Sequence, residues 1–210
     1  WRAWGVEPDA VVGHSMGEVA AAYVAGIMGL DDAARIICRR SQIVRRRASG
    51  HGRMAVVSLP LEATEALLTG YADRVAVAAC NGPTTTVISG EADALVELSQ
   101  LAERRDIFFQ FVKVDYASHS PQMDPLRDEL LESLGAIDAR PTSIAMMSTS
   151  GRATLIDGPE CNAAYWVSNL RHPVVFAQAI DALIADGCDV LLELSAHPTL
   201  AMSMSECLRQ

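Results

Sequence analysis

The stretch AVVGHSMGE, residues 10–18, constrains the fold more than any other part of the chain. A short apolar run enters a glycine, one serine stands between two glycines, and an Ala- and Val-rich segment, 17–28, follows with helical character. That is a strand, a tight turn and a helix. The turn is expected to leave no room for a Cβ at either Gly13 or Gly17. It lifts the Ser15 hydroxyl above the sheet edge, at a helix N-terminus that favours developing negative charge. Ser15 is therefore the candidate nucleophile, and the backbone N–H of Met16 a candidate oxyanion donor.

The rest of the chain reads as α/β. Residues 31–47 form a second helix, capped by Asp31 or Asp32. One stripe of it holds Ala33, Ile36, Arg40, Ile43, Val44 and Arg47, and another Asp32, Arg35, Arg39 and Arg46. Strand patterns at 54–59, 75–79, 84–89 and 108–114 alternate with helical ones at 61–68 and 91–104, with a turn at 81–83. This β-α-β-β-α-β order is ferredoxin-like. Residues 52–114 are thus expected to be a small subdomain inserted into a larger one made of residues 1–51 and 115–210. In the second part, helices are expected at 121–134, from 165, at 174–185 and at 198–208. A strand is expected at 144–148, a loop at 150–163 and a buried strand at 190–194. Strands alternating with helices predict a mostly parallel sheet covered on both faces.

Half of the 210 residues are hydrophobic, enough for a sizeable core. No run is long enough to span a membrane, and the opening WRAWGVEPD has no signal-peptide character. The five scattered cysteines read as reduced thiols of a cytoplasmic protein. A net charge of -9 argues against nucleic-acid binding. Arg35, Arg39, Arg40, Arg45, Arg46, Arg47 and Arg53 crowd one region. They form either a solvated helix face with its loop, or a docking patch for an acidic partner or phosphate-bearing ligand.

A nucleophilic serine needs a base. His14 adjoins Ser15, so its ring should point away and pack or line a pocket. His51 lies in a Gly-flanked loop, and His172 and His197 both precede proline. His119 sits where the small subdomain rejoins the large one, at a junction suited to a cleft, and is the candidate base. No convincing acid is available to orient it, Asp115 included, whereas a backbone carbonyl from residues 169–172 could serve. Arg40, carried on an apolar stripe, needs an anionic partner. That partner is either Glu18 or the free carboxylate of a substrate, gripped through two parallel hydrogen bonds.

Six pieces occur in order along the chain: GHSMGE (13–18), CRRSQ (38–42), NGPTTTVISG (81–90), YASHS (116–120), NLRHPV (169–174) and ELSAHPTL (193–200). In them the chain resembles the acyltransferase domain of modular type I polyketide synthases and, more distantly, the malonyl-CoA:acyl-carrier-protein transacylases. The resemblance implies an α/β-hydrolase-like large subdomain with a ferredoxin-like insertion and no bound cofactor. It implies transfer of an extender unit from coenzyme A to the phosphopantetheine of an acyl carrier protein, beside neighbouring synthase domains. Ser15 would be the nucleophile and His119 the base, oriented by a main-chain carbonyl at or near His172. Arg40 would hold the substrate carboxylate, and Asn81 would line the cleft. Tyr116-Ala117-Ser118-His119 resembles the form associated with methylmalonyl-CoA; malonyl-selective relatives tend to carry His-Ala-Phe-His. Ser118 leaves space where a phenylalanine would crowd an α-methyl. Met16 matches neither the glutamine frequent in methylmalonyl-selective relatives nor the branched residue of malonyl-selective ones. The family also begins with a strand and a GQG-type motif ahead of the serine. This chain starts 14 residues before Ser15, so that part of the domain is expected to be missing, with an exposed sheet edge in its place. Two alternatives remain. A serine esterase or editing thioesterase needs a conventional acid and no Arg40; a non-catalytic carrier-protein docking module never acylates Ser15.

Overall fold

In the computed structural model, which describes residues 1–209, β1 (Ala10–Val12) runs into α1 (Gly17–Val24), and α2 (Leu30–Arg47) follows. The chain then builds a second sheet from β2 (Arg53–Val57), α3 (Leu61–Leu67), β3 (Val75–Gly82), β4 (Thr85–Gly90), α4 (Ala92–Arg104) and β5 (Phe109–Phe111). It returns to the first through a 3-10 turn, Pro121–Leu126, and α5 (Arg127–Leu134). It ends with β6 (Ala145–Ser148), β7 (Thr154–Ile156), α6 (Ala163–Arg171), α7 (Phe176–Ala185) and α8 (Ala201–Cys207).

The first sheet has the order β1-β6-β7. β6 lies parallel to β1, with Val11 opposite Met146, and antiparallel to β7, with Met147 opposite Leu155. The second, β3-β4-β2-β5, is antiparallel throughout, with Val56 opposite Val87 on one side and Gln110 on the other. That is the ferredoxin-like order. Its two-residue period is plain in β2. Ala55 and Val57 face Leu67, Ile88, Leu95 and Leu98 under α3 and α4. Met54 and Val56 face the opposite side, toward Val87, Phe176 and Ile180.

The main core lies between the first sheet and the helices α1, α2, α5 and α6. There the α2 stripe buries Ala33, Ile36, Ile43 and Val44 with Val19, Leu130, Leu134, Met146 and Trp166. Helix α7 serves both sheets: Phe176 and Ile180 pack with Ala78 and Val87, while Ala179 and Leu183 pack with Met147. The strand-like entry to α7 is bonded both ways. Val174 N–H donates to Ala78 O at 2.9 Å and Cys80 N–H to Val174 O at 2.8 Å; Val175 N–H donates to Thr149 O at 2.8 Å. These bonds fix the position of groups carried by one sheet relative to the other. No helix among the described residues is long and apolar enough to cross a membrane.

Several local expectations give way to tertiary structure. The α2 N-cap is Gly29; Asp31 and Asp32 sit in the first turn, where Asp32 pairs with Arg35 at 2.6 Å and accepts the Asp138 N–H at 3.2 Å. Arg47 is exposed, and Arg46 and Arg47 both pair with Glu129. The first helix stops at Val24, ahead of Gly26 at φ 82°. The loop at 150–163 contains β7. Residues 190–194 form no strand: Val190 is 81% and Leu194 73% exposed. The first sheet therefore has one parallel and one antiparallel pair and is not mostly parallel. An apolar run becomes a strand only where a partner lies within hydrogen-bonding distance. Here Glu193 instead accepts the backbone N–H groups of Thr199 and Leu200, at 2.9 and 3.2 Å, and turns the chain toward α8.

Candidate active site

The turn from β1 to α1 holds Ser15 at φ 55°. A serine rarely occupies the left-handed region, and such strain collects at functional sites. Among the described residues three non-glycines have positive φ, and His119, at 59°, is another of them. Gly13 explains the tightness of the turn. A Cβ there would lie 2.2 Å from the Glu18 N and 2.3 Å from its Cα, backbone that cannot move aside. Gly17 differs from expectation: a Cβ there meets nothing within 4 Å, because this first residue of α1 faces outward. Gly13→Ala is therefore expected to destabilise the fold by about 3 kcal/mol, and Gly17→Ala to change it by less than about 0.5 kcal/mol. Thermal or urea unfolding of the two variants checks the contrast.

Two side chains, His119 and Arg40, meet at the serine hydroxyl. Ser15 Oγ lies 2.7 Å from His119 Nε2, and the other ring nitrogen, Nδ1, lies 2.7 Å from His172 O. A carbonyl can only accept, so Nδ1 carries the proton and Nε2 is free to accept from Ser15 Oγ–H. His172 ends α6 and turns its carbonyl toward the ring. His119 is itself anchored by its N–H to Leu170 O at 3.0 Å. Asp115 takes no part; it accepts from Ser49 Oγ and, through its carbonyl, from Gly50 N–H. Burial and the nearby Arg40 charge push His119 down to about 3, against the opposing pull of the His172 carbonyl. The ring is thus neutral, and able to act as a base, across the ordinary pH range.

Arg40 comes from the middle of α2 and is buried. Its Nη1 donates to Asn169 Oδ1 at 2.6 Å and its Nη2 to Ser15 Oγ at 3.2 Å. Burial lowers it to about 10, offset by Tyr116 and Glu18, so it remains charged at neutral pH. It makes no direct ion pair with Glu18; Asn169 stands between them. Glu18 is fully buried and accepts from Tyr165 OH at 2.7 Å, Asn169 Nδ2 at 2.9 Å, Thr149 Oγ1 at 2.8 Å and the Thr149 N–H. Of the other clustered arginines, Arg39 turns outward toward Gln42, Arg46 and Arg47 toward Glu129, while the half-buried Arg35 pairs with Asp32 and the half-buried Arg53 lies over the Phe111 ring.

The remaining candidates frame this centre. Among the described residues no acceptor takes the Met16 N–H, which is free for an oxyanion, and Met16 is 41% exposed. His14 turns away from His119: its Nε2 lies 2.8 Å from Asn81 Oδ1, and its ring packs on Phe176. Burial lowers its pKa. This contact ties β3 to the serine turn. Tyr116 packs against the main core. Ser118 is buried, with its hydroxyl donating to Met54 Sδ at 3.3 Å and its carbonyl accepting from Ser89 Oγ at 2.7 Å. Asn169 and Met54 were not legible as site residues. A lone Asn near a helix end reads as solvated, and a Met in a strand reads as core; only the fold shows what each touches. Among the described residues no group of three or more His, Cys, Asp or Glu is placed to hold a metal.

The sequence matches the acyl transferase domain family over residues 1–210. It is 44% identical over 210 residues to erythronolide synthase EryA2 of Saccharopolyspora erythraea, covering 100% of this chain and 6% of that protein. It is 43% identical over 210 residues to polyketide synthase GfsA of Streptomyces halstedii, covering 99% of this chain and 3% of that protein. The chain thus spans a small part of these relatives. Among solved structures, the acyltransferase domain from module 8 of the salinomycin polyketide synthase superposes with a TM-score of 0.95 at 38% identity, over 98% of this chain and 48% of that one. The acyltransferase domain of PpsC of Mycobacterium tuberculosis gives 0.91 at 39% identity, over 100% of this chain and 64% of that one.

Proposed function

The chain belongs to the acyl transferase domain family, and from that premise we propose that it moves a carboxylated acyl unit, most readily methylmalonyl, from coenzyme A to an acyl carrier protein through acyl-Ser15. One observation carries the reading: Ser15 Oγ touches a neutral histidine on one side and a buried arginine on the other. The histidine activates the hydroxyl. The arginine is not needed for that and has a charge to spend on a ligand.

In the first half-reaction His119 Nε2 takes the proton from Ser15 Oγ–H as Oγ bonds to the thioester carbonyl carbon. The oxyanion is held by the Met16 N–H and a second donor. The C–S bond breaks, and the coenzyme A sulfur leaves with the proton from His119. In the second half the phosphopantetheine thiol of the carrier protein gives its proton to His119 and attacks the ester carbonyl. The C–Oγ bond breaks and Ser15 recovers the proton. A thioester is exchanged for a thioester. His119 is steadied by a main-chain carbonyl in place of an acid, which sets this site apart from a conventional serine esterase.

Arg40 holds the free carboxylate, exchanging its contact with Ser15 for the ligand while Asn169 keeps Nη1 in place. The methylmalonyl preference rests on Ser118, which is small where a larger side chain would crowd an α-methyl. One methyl gives about 1–3 kcal/mol of discrimination, so the preference is graded.

Intact-protein mass spectrometry after mixing with equal malonyl-CoA and methylmalonyl-CoA tests this, with Ser15→Ala alongside. A methylmalonyl adduct that needs Ser15 and passes to carrier protein is expected. A malonyl adduct would keep the transfer and remove the role of Ser118. An adduct lost to water at a rate indifferent to carrier protein would mark an esterase, and no adduct on the complete domain a docking module.

A further inference from the structure

We propose that Asn169 is a positioning residue that keeps the Arg40 charge available to substrate, by standing as a neutral spacer between Arg40 and the carboxylate of Glu18. This rests on the reading of Arg40 as the carboxylate-binding group. The orientation of the Asn169 amide is fixed by its neighbours. A guanidinium only donates, so Oδ1 faces Arg40 Nη1, at 2.6 Å. The Ser15 carbonyl and the Glu18 carboxylate only accept, so Nδ2 faces them, at 3.3 and 2.9 Å. One side chain thereby spans the nucleophile's own backbone, the arginine and the buried acid.

The choice of amide has a chemical consequence. A carboxylate at position 169 would pair directly with Arg40, with a charge on each side of the hydrogen bond. The guanidinium would then be satisfied before substrate arrived. The amide holds Nη1 in the same place without neutralising it. A buried cation still needs negative charge nearby, and Glu18 supplies it one residue further away. Glu18 is in turn held by Thr149, Tyr165 and Asn169, all fully or partly buried. Arg40 is thus stabilised enough to remain buried, yet its Nη2 end is left with only the weak, 3.2 Å contact to the Ser15 hydroxyl.

The test moves the charge without changing its amount. In the double variant Glu18→Gln/Asn169→Asp the net charge and side-chain volumes are conserved. The introduced glutamine amide can accept from Thr149 and donate to the introduced aspartate, so the network closes everywhere except at the Ser15 carbonyl, which loses its donor in both variants and for both thioesters alike. The readout is the ratio of Ser15 acylation rates with malonyl-CoA and acetyl-CoA, followed by intact mass. The ratio is expected to fall at least tenfold, because the carboxylate now at position 169 occupies the guanidinium that malonyl needs. Asn169→Asp alone, as the second variant, is expected to show the same fall. A purely structural Asn169 would slow both thioesters together, and a ratio within twofold of the unmodified protein in a folded variant overturns the proposal. Failure of the unmodified complete domain to form a malonyl-type adduct would instead overturn the transferase reading, so the two failures are distinguishable.

Discussion

His119→Ala is expected to slow acylation of Ser15 by about a thousandfold, the central value for loss of a positioned base. No second base stands in reserve. The polar contacts of Ser15 Oγ are His119 Nε2 at 2.7 Å and Arg40 Nη2 at 3.2 Å, and an arginine cannot accept a proton. His14, the neighbour in sequence, is turned toward Asn81 and Phe176. The pH profile carries the same argument. His119 is pushed down to about 3 by burial and by the Arg40 charge. The base-competent, neutral form therefore persists as pH falls well below the ordinary histidine value, and is lost only as pH approaches about 3. Single-turnover acylation by acetyl-CoA, which leaves the Arg40 charge unpaired, should hold nearly constant from pH 8 down to pH 5. With a malonyl-type substrate the bound carboxylate offsets the Arg40 charge, so the acid limb should move to higher pH. Rapid-quench mass spectrometry reads both limbs. A limb near pH 6.5 with acetyl-CoA would show that the ring is not held as the structure places it.

The parts of the site that sequence makes legible are those set by short-range rules. The serine turn is written in six consecutive residues, because strand, glycine and helix follow one another without interruption. Arg40 stands out because a charge on an otherwise apolar helical stripe conflicts with burial, and the 3.6-residue period shows that conflict locally. The ferredoxin-like order reads off from the alternation of strand and helix periods, although only β3 and β4 pair across a short turn while β2 pairs with the distant β4 and β5. What escapes is everything that depends on a distant partner. Residues 190–194 carry the apolarity of a buried strand, yet strand formation depends on a neighbour, and the segment turns on Glu193 instead. β7 escapes because its pairing to Met146 and Met147 outweighs the Gly- and Pro-bearing composition around it. Asn169 escapes because its meaning lies in Arg40 and Glu18, 129 and 151 residues away in the chain.

Arg40→Ala is expected to invert the selectivity of the site, lowering acylation by malonyl-CoA about a hundredfold relative to acetyl-CoA, the loss of one to two hydrogen bonds to a charged group at about 1.5–3 kcal/mol each. The asymmetry arises because the substitution acts on two charges at once. It removes the partner of the substrate carboxylate, which would then be buried without a counter-charge. It also removes the cation that holds His119 down, so the base becomes stronger and acetyl transfer is not slowed by the same mechanism. Arg40→Lys should restore little, because an ammonium cannot hold Asn169 and a carboxylate with one planar fork. The same substitution leaves the buried Asn169 Oδ1 without its donor, at a cost of about 1–3 kcal/mol in stability, and unfolding measurements must accompany the kinetics. Rates for both thioesters, measured on folded protein by the mass of the Ser15 adduct, decide the matter. Equal losses for malonyl and acetyl would mean that Arg40 serves the nucleophile and not the ligand. A selective loss would show that α2 carries its one inward charge in order to recognise an acid.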